Sequence, residues 1–474
     1  MRTRSKKYPR VTAVYSFRST GRNAGNAFVE ALRSLEPQMS LLDRFTVAPR
    51  VPGHIDRTAT ESERLEDLHE IGDWVYSRPS YERGAKHYVS ALYETYHPRD
   101  PLDLDEIRRK AMLAQAVEMD SLVVVPEWST ARGIAVFGQT GSGKTTFLDV
   151  MSAPYQVVIE HTTYKGVRLD CVQIPVLSVH APHDGTLKAF QFQFFDAVDK
   201  ALGEPLYGPQ VRRTASIGEA VLLMGKVIAA TNIGMIIFED LQNLRSAQPK
   251  FVEHLLNILS QVLEIFGCSL AVSGTPAITD LVVRCVRNIR KIVQGGDIRL
   301  GPMAWNGAEM IEFQDQLWKY QWVRDKARLT PGIRQVWWKC SGGNPAFMKM
   351  VFIFAQRMEI GRDEVLTEDS FLNAYMYDMA LLHPAIEALV SGKASEMSKF
   401  DDLIFDEQYE KMLGREAPRA PLTSEEFAEL GLETQTKQST RPRQRRAARV
   451  EMPKPGGGLL RTIALPILDP RALA

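Results

Sequence analysis

Few cysteines and no long apolar run distinguish this sequence at first reading. The four cysteines, Cys171, Cys268, Cys285 and Cys340, lie far apart and show neither a Cys-x-x-Cys pair nor a Cys/His ligand spacing. The sequence therefore indicates neither a zinc site nor a disulfide framework, and we expect a reducing compartment. No apolar run approaches the ~18 residues that a membrane helix needs, and the N-terminus lacks the apolar stretch of a signal peptide. We expect a cytoplasmic protein that does not contact a membrane.

Charge is balanced in total but unevenly distributed. The formal net charge is +1, yet no acidic residue precedes Glu30. The basic residues before it are Arg2, Arg4, Lys6, Lys7, Arg10, Arg18 and Arg22. A second acid-free basic stretch runs from Lys437 to Arg449. Such stretches suit phosphate backbones or acidic protein surfaces, although solvated tails carry them too.

A glycine-rich loop is the strongest motif in the chain. The segment GQTGSGKT, Gly138 to Thr145, follows an apolar run and precedes a helical pattern, as in a phosphate-binding P-loop. Backbone N–H groups of such a loop bind phosphates, and the positive end of the next helix adds to the attraction. The predicted ATP-binding residues are Gly138, Gln139, Thr140, Gly141, Ser142, Gly143, Lys144, Thr145 and Thr146. Lys144 would contact the β- and γ-phosphates, and Thr145 would ligate Mg²⁺.

Two carboxylates follow a second buried strand. Met235 to Phe238 is apolar and ends in Glu239 and Asp240, the form of a Walker B element. One carboxylate would hold the Mg²⁺ shell and the next would orient the attacking water. The usual order is Asp then Glu, and here it is inverted. Each group therefore moves by about one methylene, roughly 1.5 Å. A displacement of this size predicts a slow ATPase, because it can lower the rate on the order of a hundredfold.

Polar and basic residues after a later strand complete the predicted catalytic set. Thr275, with Ser273 as the second choice, would sense the γ-phosphate, although a Thr-Pro pair is also an ordinary helix start. Arg284, Arg287 and Arg290 follow with a spacing of three, which places them on one helix face. In a ring or filament, Arg287 or Arg290 could enter the neighbouring copy's site as a trans-acting finger, unless the face is merely solvated.

The order of apolar segments predicts an α/β fold. Predicted strands cover 133–137, 172–179, 235–238, 269–273 and 298–300, with Pro175 an irregularity in the second. Predicted helices cover 187–202 and 217–230, followed by 314–326, 330–340, 344–359 and 370–390. This pattern is typical of a parallel sheet flanked by helices and followed by an α-helical lid.

We divide the chain into five predicted parts. They are a basic N-terminal extension (1–60), a helical lead-in (61–127), a nucleotide-binding core (128–304), a helical lid (305–392) and a flexible C-terminal tail (393–474). The tail is rich in proline and contains the triplet Gly456-Gly457-Gly458, and this composition predicts flexibility. No internal repeat is visible in the sequence, which argues against a repeat-bearing signalling ATPase.

Several motifs together resemble the AAA+ transposition regulators of the TnsC/TniB group, found in TnsABCD-type transposons. They are GQTGSGKTT (138–146), QIPVLSVHAP (173–182), MIIFEDLQNL (235–244), AVSGTPAI (271–278), SGGNPAFMKMVFIFAQ (341–356) and LLHPAI (381–386). The resemblance implies an AAA+ P-loop ATPase that uses ATP and Mg²⁺. It also implies polymerisation on double-stranded DNA as a ring or helical filament, linking a target-selector protein of the TnsD/TniQ type to transposase subunits.

The same resemblance implies where DNA binds. The family contacts DNA through the helix and turn after the second core strand, which here contain Lys188, Arg212, Arg213 and Thr214. These side chains suit phosphates without reading bases, although exposed basic residues at helix starts are common. The chain departs from the family in the inverted Glu239-Asp240 order. It also has no arginine for a second sensor at Gly342-Gly343-Asn344-Pro345, so lid closure would depend on shape and packing.

Two alternative functions stay open at this stage. The first is an initiator-like or helicase-loader-like AAA+ ATPase, although no winged-helix module is evident after the lid. The second is a scaffold that binds ATP without hydrolysing it.

Overall fold

The computed structural model describes residues 8–17, 19–37, 39–41, 43–118, 129–182, 186–214, 216–241, 249–275, 290–397 and 399–400. The strands in this part of the chain are β1 (Arg10–Thr12), β2 (Gly133–Gly138), β3 (Val158–Tyr164), β4 (Val167–Gln173), β5 (Val176–His180), β6 (Met235–Glu239), β7 (Ser269–Gly274) and β8 (Asp297–Leu300). The predicted 393–474 tail therefore lies almost wholly outside the described residues.

The central sheet has the order β5-β6-β7-β2-β8 among the described strands, and every pair in it is parallel. The inner strands are short apolar runs, and β6 and β7 are buried along their whole length. Parallel strands covered by helices on both faces have this composition because neither face meets water. The predicted parallel sheet flanked by helices is confirmed.

Pro175 divides the segment that the sequence predicts as one strand over 172–179. Residues before it form β4, and residues after it form β5 in the central sheet. Proline has no N–H to donate, but the Pro175 carbonyl accepts from the Met235 amide at 2.9 Å. The prediction of a single strand is wrong because the chain changes sheets at this residue.

A second sheet, with the order β1-β3-β4 among the described strands, was not predicted. Strands β3 and β4 form an antiparallel hairpin, and β1 pairs with β3 in parallel. The hairpin turns at Lys165 and Gly166, whose φ angles are 48° and 81°. Two central residues with positive φ suit the right-handed twist of a hairpin. The residues Arg10–Thr12 of the predicted N-terminal extension therefore form a strand of this second sheet.

Helices cover both faces of the central sheet. Those before or between the strands are Ala27–Leu35, His54–Thr58, Glu61–Asp67, Pro79–Tyr96, Leu104–Glu118, Lys144–Ser152, Leu187–Leu202, Gly208–Val211, Ile217–Ala230 and Pro249–Glu264. The predicted helices 187–202 and 217–230 are confirmed with the same bounds. Each begins after a hydroxyl cap, since the Thr186 and Ser216 side chains accept from backbone N–H groups three residues later.

Each face of the sheet has its own apolar core. On one side Phe28, Tyr88 and Phe147 pack with inward residues of the strands, so the N-terminal extension and the lead-in contribute to this core. The core on the other side is formed by three helices that pack on the strands. They contribute Phe194 from Leu187–Leu202, Met224 from Ile217–Ala230 and Leu259 from Pro249–Glu264. None of the described helices is long and apolar enough to span a membrane.

The helical region after β8 contains Ala308–Leu317, Pro331–Lys339, Pro345–Glu359, Glu368–Asn373, His383–Ser391 and Ala394–Met397. A helical lid is confirmed, but two predicted helices have wrong bounds. The predicted helix 314–326 is observed at Ala308–Leu317, so both its start and its end are wrong. After this helix, the buried Gln321 side chain donates to the Trp318 and Ala327 carbonyls and accepts from the Ala327 amide. The predicted helix 370–390 is interrupted by a π-helical turn at Ala374–Asp378 and a 3₁₀ turn at Ala380–Leu382.

Candidate nucleotide-binding site

The glycine-rich loop connects β2 to the helix Lys144–Ser152, as its sequence predicts. Gly141 and Gly143 have φ angles of 79° and 98°, in the left-handed region that favours glycine. A Cβ at Gly141 would lie 2.6 Å from Asn344 Oδ1, and one at Gly143 would overlap the Tyr81 hydroxyl. The loop therefore needs glycine at both positions for conformation and for space.

Every carbonyl oxygen from Gly138 to Gly143 is held by a donor. Lys144 Nζ donates to Gly138 O at 2.8 Å and to Gln139 O at 3.0 Å. The other donor–acceptor pairs are Asn344 Nδ2 to Thr140 O at 2.8 Å, Ala346 N to Gly141 O at 3.2 Å, Arg78 Nη1 to Ser142 O at 2.8 Å and Tyr81 OH to Gly143 O at 3.1 Å. Because a trans peptide directs its C=O and N–H oppositely, each held carbonyl also fixes the direction of one N–H group. The Ser142 N–H donates within the loop, to Gln139 O at 3.1 Å.

Two of these donors come from the start of the lead-in helix Pro79–Tyr96, which sequence reasoning did not connect with the site. Arg78 is 5% exposed, and its guanidinium also donates to Gly301 O at 2.9 Å and to Glu309 Oε1 at 2.6 Å. Burial raises the pKa of Tyr81 to about 12. The Tyr81 hydroxyl therefore keeps its proton at neutral pH and acts as a donor.

The lid supplies the other two external donors. Asn344 Oδ1 accepts from Ala346 N at 3.0 Å and from Phe347 N at 3.4 Å, which caps the helix Pro345–Glu359. The opposite side of the same amide donates to Thr140 O. A polar side chain therefore links the lid to the loop, while lid closure around ATP by shape and packing stays a prediction. The motif Gly343-Asn344-Pro345 was visible in the sequence, but its partner was not.

Glu239 and Asp240 lie at the C-terminal end of β6. Glu239 is the last residue of that strand, opposite His180 of β5, and is 8% exposed. Asp240 has a φ of 59°, a left-handed conformation that Asp and Asn adopt more readily than other side chains. Both acidic residues make interactions within the protein.

Strand β7 lies between β2 and β6, so its C-terminal end separates the glycine-rich loop from Glu239. Ser273 is opposite Val136 of β2, and Gly274 is opposite Phe137. Thr275, the next residue, is fully buried, and its hydroxyl has no hydrogen-bond partner among the described residues. The Ser142 hydroxyl of the loop is likewise buried and without a partner in this part of the chain. Two unsatisfied hydroxyls beside the loop are unusual for a finished core and fit a ligand-binding edge.

The remaining predicted site residues are the two threonines after Lys144 and the arginines before β8. Thr145 is exposed and Thr146 half-buried, both in the first turn of the helix after the loop. Arg290 is exposed at the start of a described helical segment before β8, and its neighbour Lys291 pairs with Glu264 at 2.5 Å. Arg284 and Arg287 lie outside the described residues. Of the three arginines only Arg290 is described, and no hydrogen bond or ion pair joins it to the glycine-rich loop within the described residues.

The predicted DNA-contacting residues lie on the surface. Lys188, Arg212 and Arg213 are exposed, and Thr214 is half-buried. Gln191 Nε2, one turn after Lys188, donates to Ile217 O at 2.9 Å. The first turn of the helix Leu187–Leu202 and the segment after Thr214 are thus adjacent.

A comparison with protein families gives one match, a family described as an AAA domain, over residues 127–282. The matched range includes the glycine-rich loop, Glu239, Asp240 and Thr275. The chain contains an AAA-type P-loop domain. The parallel sheet, with its flanking helices and the helical region behind it, forms an AAA+ P-loop fold.

Solved structures with detectable similarity include the Cdc6p protein of Pyrobaculum aerophilum, at 14% identity and a TM-score of 0.37, covering 70% of this chain and 85% of that one. The Aeropyrum pernix ORC2 protein in ADPNP–ADP complexes has 13% identity and a TM-score of 0.35, with 70% of this chain and 85% of that one covered. The Aeropyrum pernix ORC1 protein in complex with DNA has 14% identity and a TM-score of 0.35, with 69% and 82% covered. Scores this low carry no inference about function. A comparison with curated proteins finds no match.

Proposed function

We propose that this protein is an ATPase that binds ATP and Mg²⁺ at the AAA-type domain. The glycine-rich loop carries this proposal, because each of its carbonyls from Gly138 to Gly143 accepts a hydrogen bond, which fixes the orientation of its peptides. Backbone N–H groups of such a loop and the positive end of the helix Lys144–Ser152 would form an anion-binding surface. Lys144, which now donates to loop carbonyls, is the cation placed to turn toward the β- and γ-phosphates.

The residues around the loop fit a nucleotide-dependent Mg²⁺ site rather than a preformed metal site. No cluster of three His, Cys, Asp or Glu side chains that could hold a metal occurs within the described ranges. Thr145, Glu239 and Asp240 supply one hydroxyl and two carboxylates, so phosphate oxygens and water must complete the shell. When bound, Mg²⁺ would neutralise the charge that develops on the transferred phosphoryl group.

We further infer slow hydrolysis, with separate roles for the two acidic residues. Glu239 would hold the metal's water shell and Asp240 would orient the attacking water, while the buried Thr275 hydroxyl would contact the γ-phosphate. The left-handed backbone at Asp240 supports a functional position, since such conformations concentrate at active sites. A catalytic Asp in place of Glu has a shorter reach, which favours nucleotide retention over turnover.

At the level of biology, we infer a transposition regulator of the TnsC/TniB type. ATP at a junction between copies would assemble the chain on double-stranded DNA as a ring or helical filament. Arg287 or Arg290 of one copy would complete the next copy's site, and hydrolysis would weaken the junction. The assembled protein would connect a target-selector protein of the TnsD/TniQ type to transposase subunits.

DNA binding is the part of this proposal that a single surface can test. Lys188, Arg212 and Arg213 are exposed on adjacent segments, with Thr214 beside them, and such residues bind phosphates without base readout. We expect K188E and the pair R212E/R213E to weaken duplex binding to the same extent on unrelated sequences. The slope of log K against log salt should fall by about 1 for each lost contact.

The control for these variants is K200E, which removes a lysine from the opposite end of the same helix, where it pairs with Asp196. K200E should bind duplex DNA as the wild type does. Equal affinities for K188E, R212E/R213E and K200E would remove the surface from the proposal. Nucleotide-dependent activity without any duplex binding would instead favour a function other than transposition regulation.

A single-turnover ATPase assay with and without duplex DNA separates hydrolysis from a scaffold role. Slow turnover that depends on Asp240 supports the ATPase. ATP binding with no turnover in either condition would leave the scaffold function. Stimulation of a helicase loading reaction, rather than of transposition, would favour the initiator-like alternative.

A further inference from the structure

The segment before the AAA-type domain contributes a buried arginine to the phosphate loop. Arg78 lies immediately before the helix Pro79–Tyr96, more than fifty residues upstream of the loop in sequence. Its side chain is 6% exposed, although an arginine is almost never buried unless it is fully paired. Its partners therefore indicate what its position achieves.

Arg78 connects three parts of the site at once. Nη1 donates to Ser142 O at 2.8 Å in the loop, and Nη2 donates to Gly301 O at 2.9 Å just after β8. Nε donates to Glu309 Oε1 at 2.6 Å in the first turn of the lid helix Ala308–Leu317. A guanidinium has a planar fork of donors, so it can hold these acceptors in one fixed arrangement.

The contact with Ser142 fixes the direction of one peptide. The C=O of Ser142 and the N–H of Gly143 belong to the same trans peptide and point oppositely. While Arg78 holds the oxygen, the Gly143 N–H is directed away from Arg78, where it is available to a bound phosphate. Tyr81 OH donates to the next carbonyl, Gly143 O, at 3.1 Å, and the Phe147 N–H donates to the same oxygen at 2.9 Å.

We propose that Arg78 is a positioning residue for phosphate binding, and that its ion pair with Glu309 makes nucleotide affinity depend on the lid. This inference rests on the proposed ATP binding at the loop. Glycine at position 143 has a φ of 98° and has more backbone freedom than other residues, so a hydrogen bond to the Ser142 carbonyl restrains the peptide between the two residues. Arg78 supplies that restraint, and Glu309 connects it to the lid.

The test is the affinity for a fluorescent ATP analogue, measured at equilibrium without hydrolysis. R78Q should weaken binding by about tenfold or more, the scale expected when a charge-assisted hydrogen bond is lost. R78K keeps the charge but not the fork, and should recover only part of the loss. E309Q leaves both carbonyl contacts of Arg78 in place and should weaken binding by less than R78Q does.

The matched control is R83Q, on the same helix, where Arg83 is exposed and donates to Asp297 O at 3.4 Å. R83Q should bind the analogue as the wild type does. A double-mutant cycle of R78Q and E309Q should be non-additive if the two residues act as one unit. Thermal unfolding of each variant reports folding separately, and E309Q and Y81F keep the test valid if R78Q does not fold.

The outcomes are distinguishable. If the wild type binds no nucleotide, the proposed function fails. If the wild type binds and R78Q, Y81F and E309Q all bind equally well, the proposed function stands and the positioning role is wrong. Weaker binding of folded R78Q with no change in E309Q would overturn the link to the lid. A rise in KM with an unchanged kcat in R78Q would support positioning of the bound phosphates.

Discussion

Asn344 Nδ2 of the lid donates a 2.8 Å hydrogen bond to Thr140 O of the phosphate loop. The same side chain caps the helix Pro345–Glu359 through Oδ1. One side-chain amide therefore joins the start of this helix to the loop, so a displacement of the helix would also change its contact with the loop. Asn344 lies at the start of the lid helix where the sequence has no arginine for a second sensor.

The variant N344D separates these two functions because it is nearly isosteric. An aspartate would still accept from Ala346 N and Phe347 N, so the helix cap should persist. Its second oxygen would face Thr140 O in place of a donor, and we expect about a tenfold loss of ATP-analogue affinity. Equilibrium titration of N344D beside N373D, at an exposed lid asparagine, measures the effect. Unchanged affinity in N344D would show that the loop does not depend on this contact.

Asp240 is expected to control hydrolysis more than binding. D240N keeps a side chain that tolerates the observed φ of 59° and removes only the carboxylate charge. We expect kcat to fall by on the order of 10² or more while nucleotide affinity changes little, because the orienting group is lost. Steady-state ATPase assays and analogue titration test both halves. Wild-type turnover in D240N would exclude this residue as the water-orienting group.

The backbone at Asp240 also offers a physical reason for the inverted acidic pair. A left-handed residue favours Asp or Asn over Glu, so restoring the usual order with E239D/D240E would place glutamate in an unfavourable conformation. We expect that double variant to lose about 1 kcal/mol of unfolding free energy. Urea denaturation beside the single variant E239D measures the cost of glutamate at position 240. Equal stability of the double and single variants would remove this explanation.

His161 should make stability depend on acid. Burial lowers the pKa of His161 from 6.5 to about 4, with the nearby Lys110 charge acting in the same direction. Nδ1 lies 3.0 Å from the Tyr15 hydroxyl and Nε2 lies 3.0 Å from Gln173 Oε1, an arrangement that suits neutral imidazole. The unfolded chain thus binds a proton below pH 6.5 that the folded chain does not bind until about pH 4. Its stabilising contribution is full above this window and is lost as the pH falls through it.

Because of this histidine, we expect the free energy of unfolding to fall by roughly 3 kcal/mol as the pH decreases through that window, at about 1.4 kcal/mol per pH unit. Urea denaturation at several pH values between 7 and 4.5 measures the slope. H161Q should flatten it relative to the wild type, whereas H54Q, at an exposed histidine, should not. A slope that H161Q leaves unchanged would assign the acid sensitivity to other groups.

The ion pair of Arg64 and Glu364 should stabilise the packing of the lead-in on the lid. Two contacts of 2.6 Å join the side chains, and Arg64 is fully buried. Hydrogen bonding to Arg64 lowers the pKa of Glu364 from 4.5 to about 2, so this contribution exists above pH 4.5 and is lost as the pH falls toward 2. We expect E364Q to lose about 3 kcal/mol at neutral pH, because Arg64 keeps a buried charge.

The control for that pair is the double variant R64M/E364M. Replacing both charges with apolar side chains should cost less than E364Q or R64M alone. Thermal and urea unfolding of the three variants provide the comparison. A double variant less stable than either single variant would contradict the argument that an unpaired buried charge causes the loss.

The sequence predicted those features that depend on neighbouring residues. The strand before Gly138, the helix after Lys144 and the helices at 187–202 and 217–230 follow from local periodicity and caps. Pro175 is a local irregularity, but the change of sheet at this residue depends on pairing with a distant strand. The Lys165-Gly166 pair, in contrast, is a local turn signal for the hairpin of β3 and β4.

The contacts around the loop could not be predicted from the sequence. Arg78 and Tyr81 precede a helix that reads as an ordinary amphipathic segment, and Asn344 reads as a helix cap. Their donors meet the loop only because the lead-in and the lid both pack against it. No local sequence pattern around Arg78, Tyr81 or Asn344 predicts these contacts with the loop.

Sedimentation with duplex DNA and a non-hydrolysable ATP analogue tests the central claim most directly. The account predicts that the wild-type chain forms large assemblies only when both ligands are present. The folded variant K144A should stay unassembled, because it lacks the lysine that contacts the phosphates. Assembly of K144A on DNA to the wild-type extent, or a wild-type chain that never multimerises with both ligands present, would contradict it.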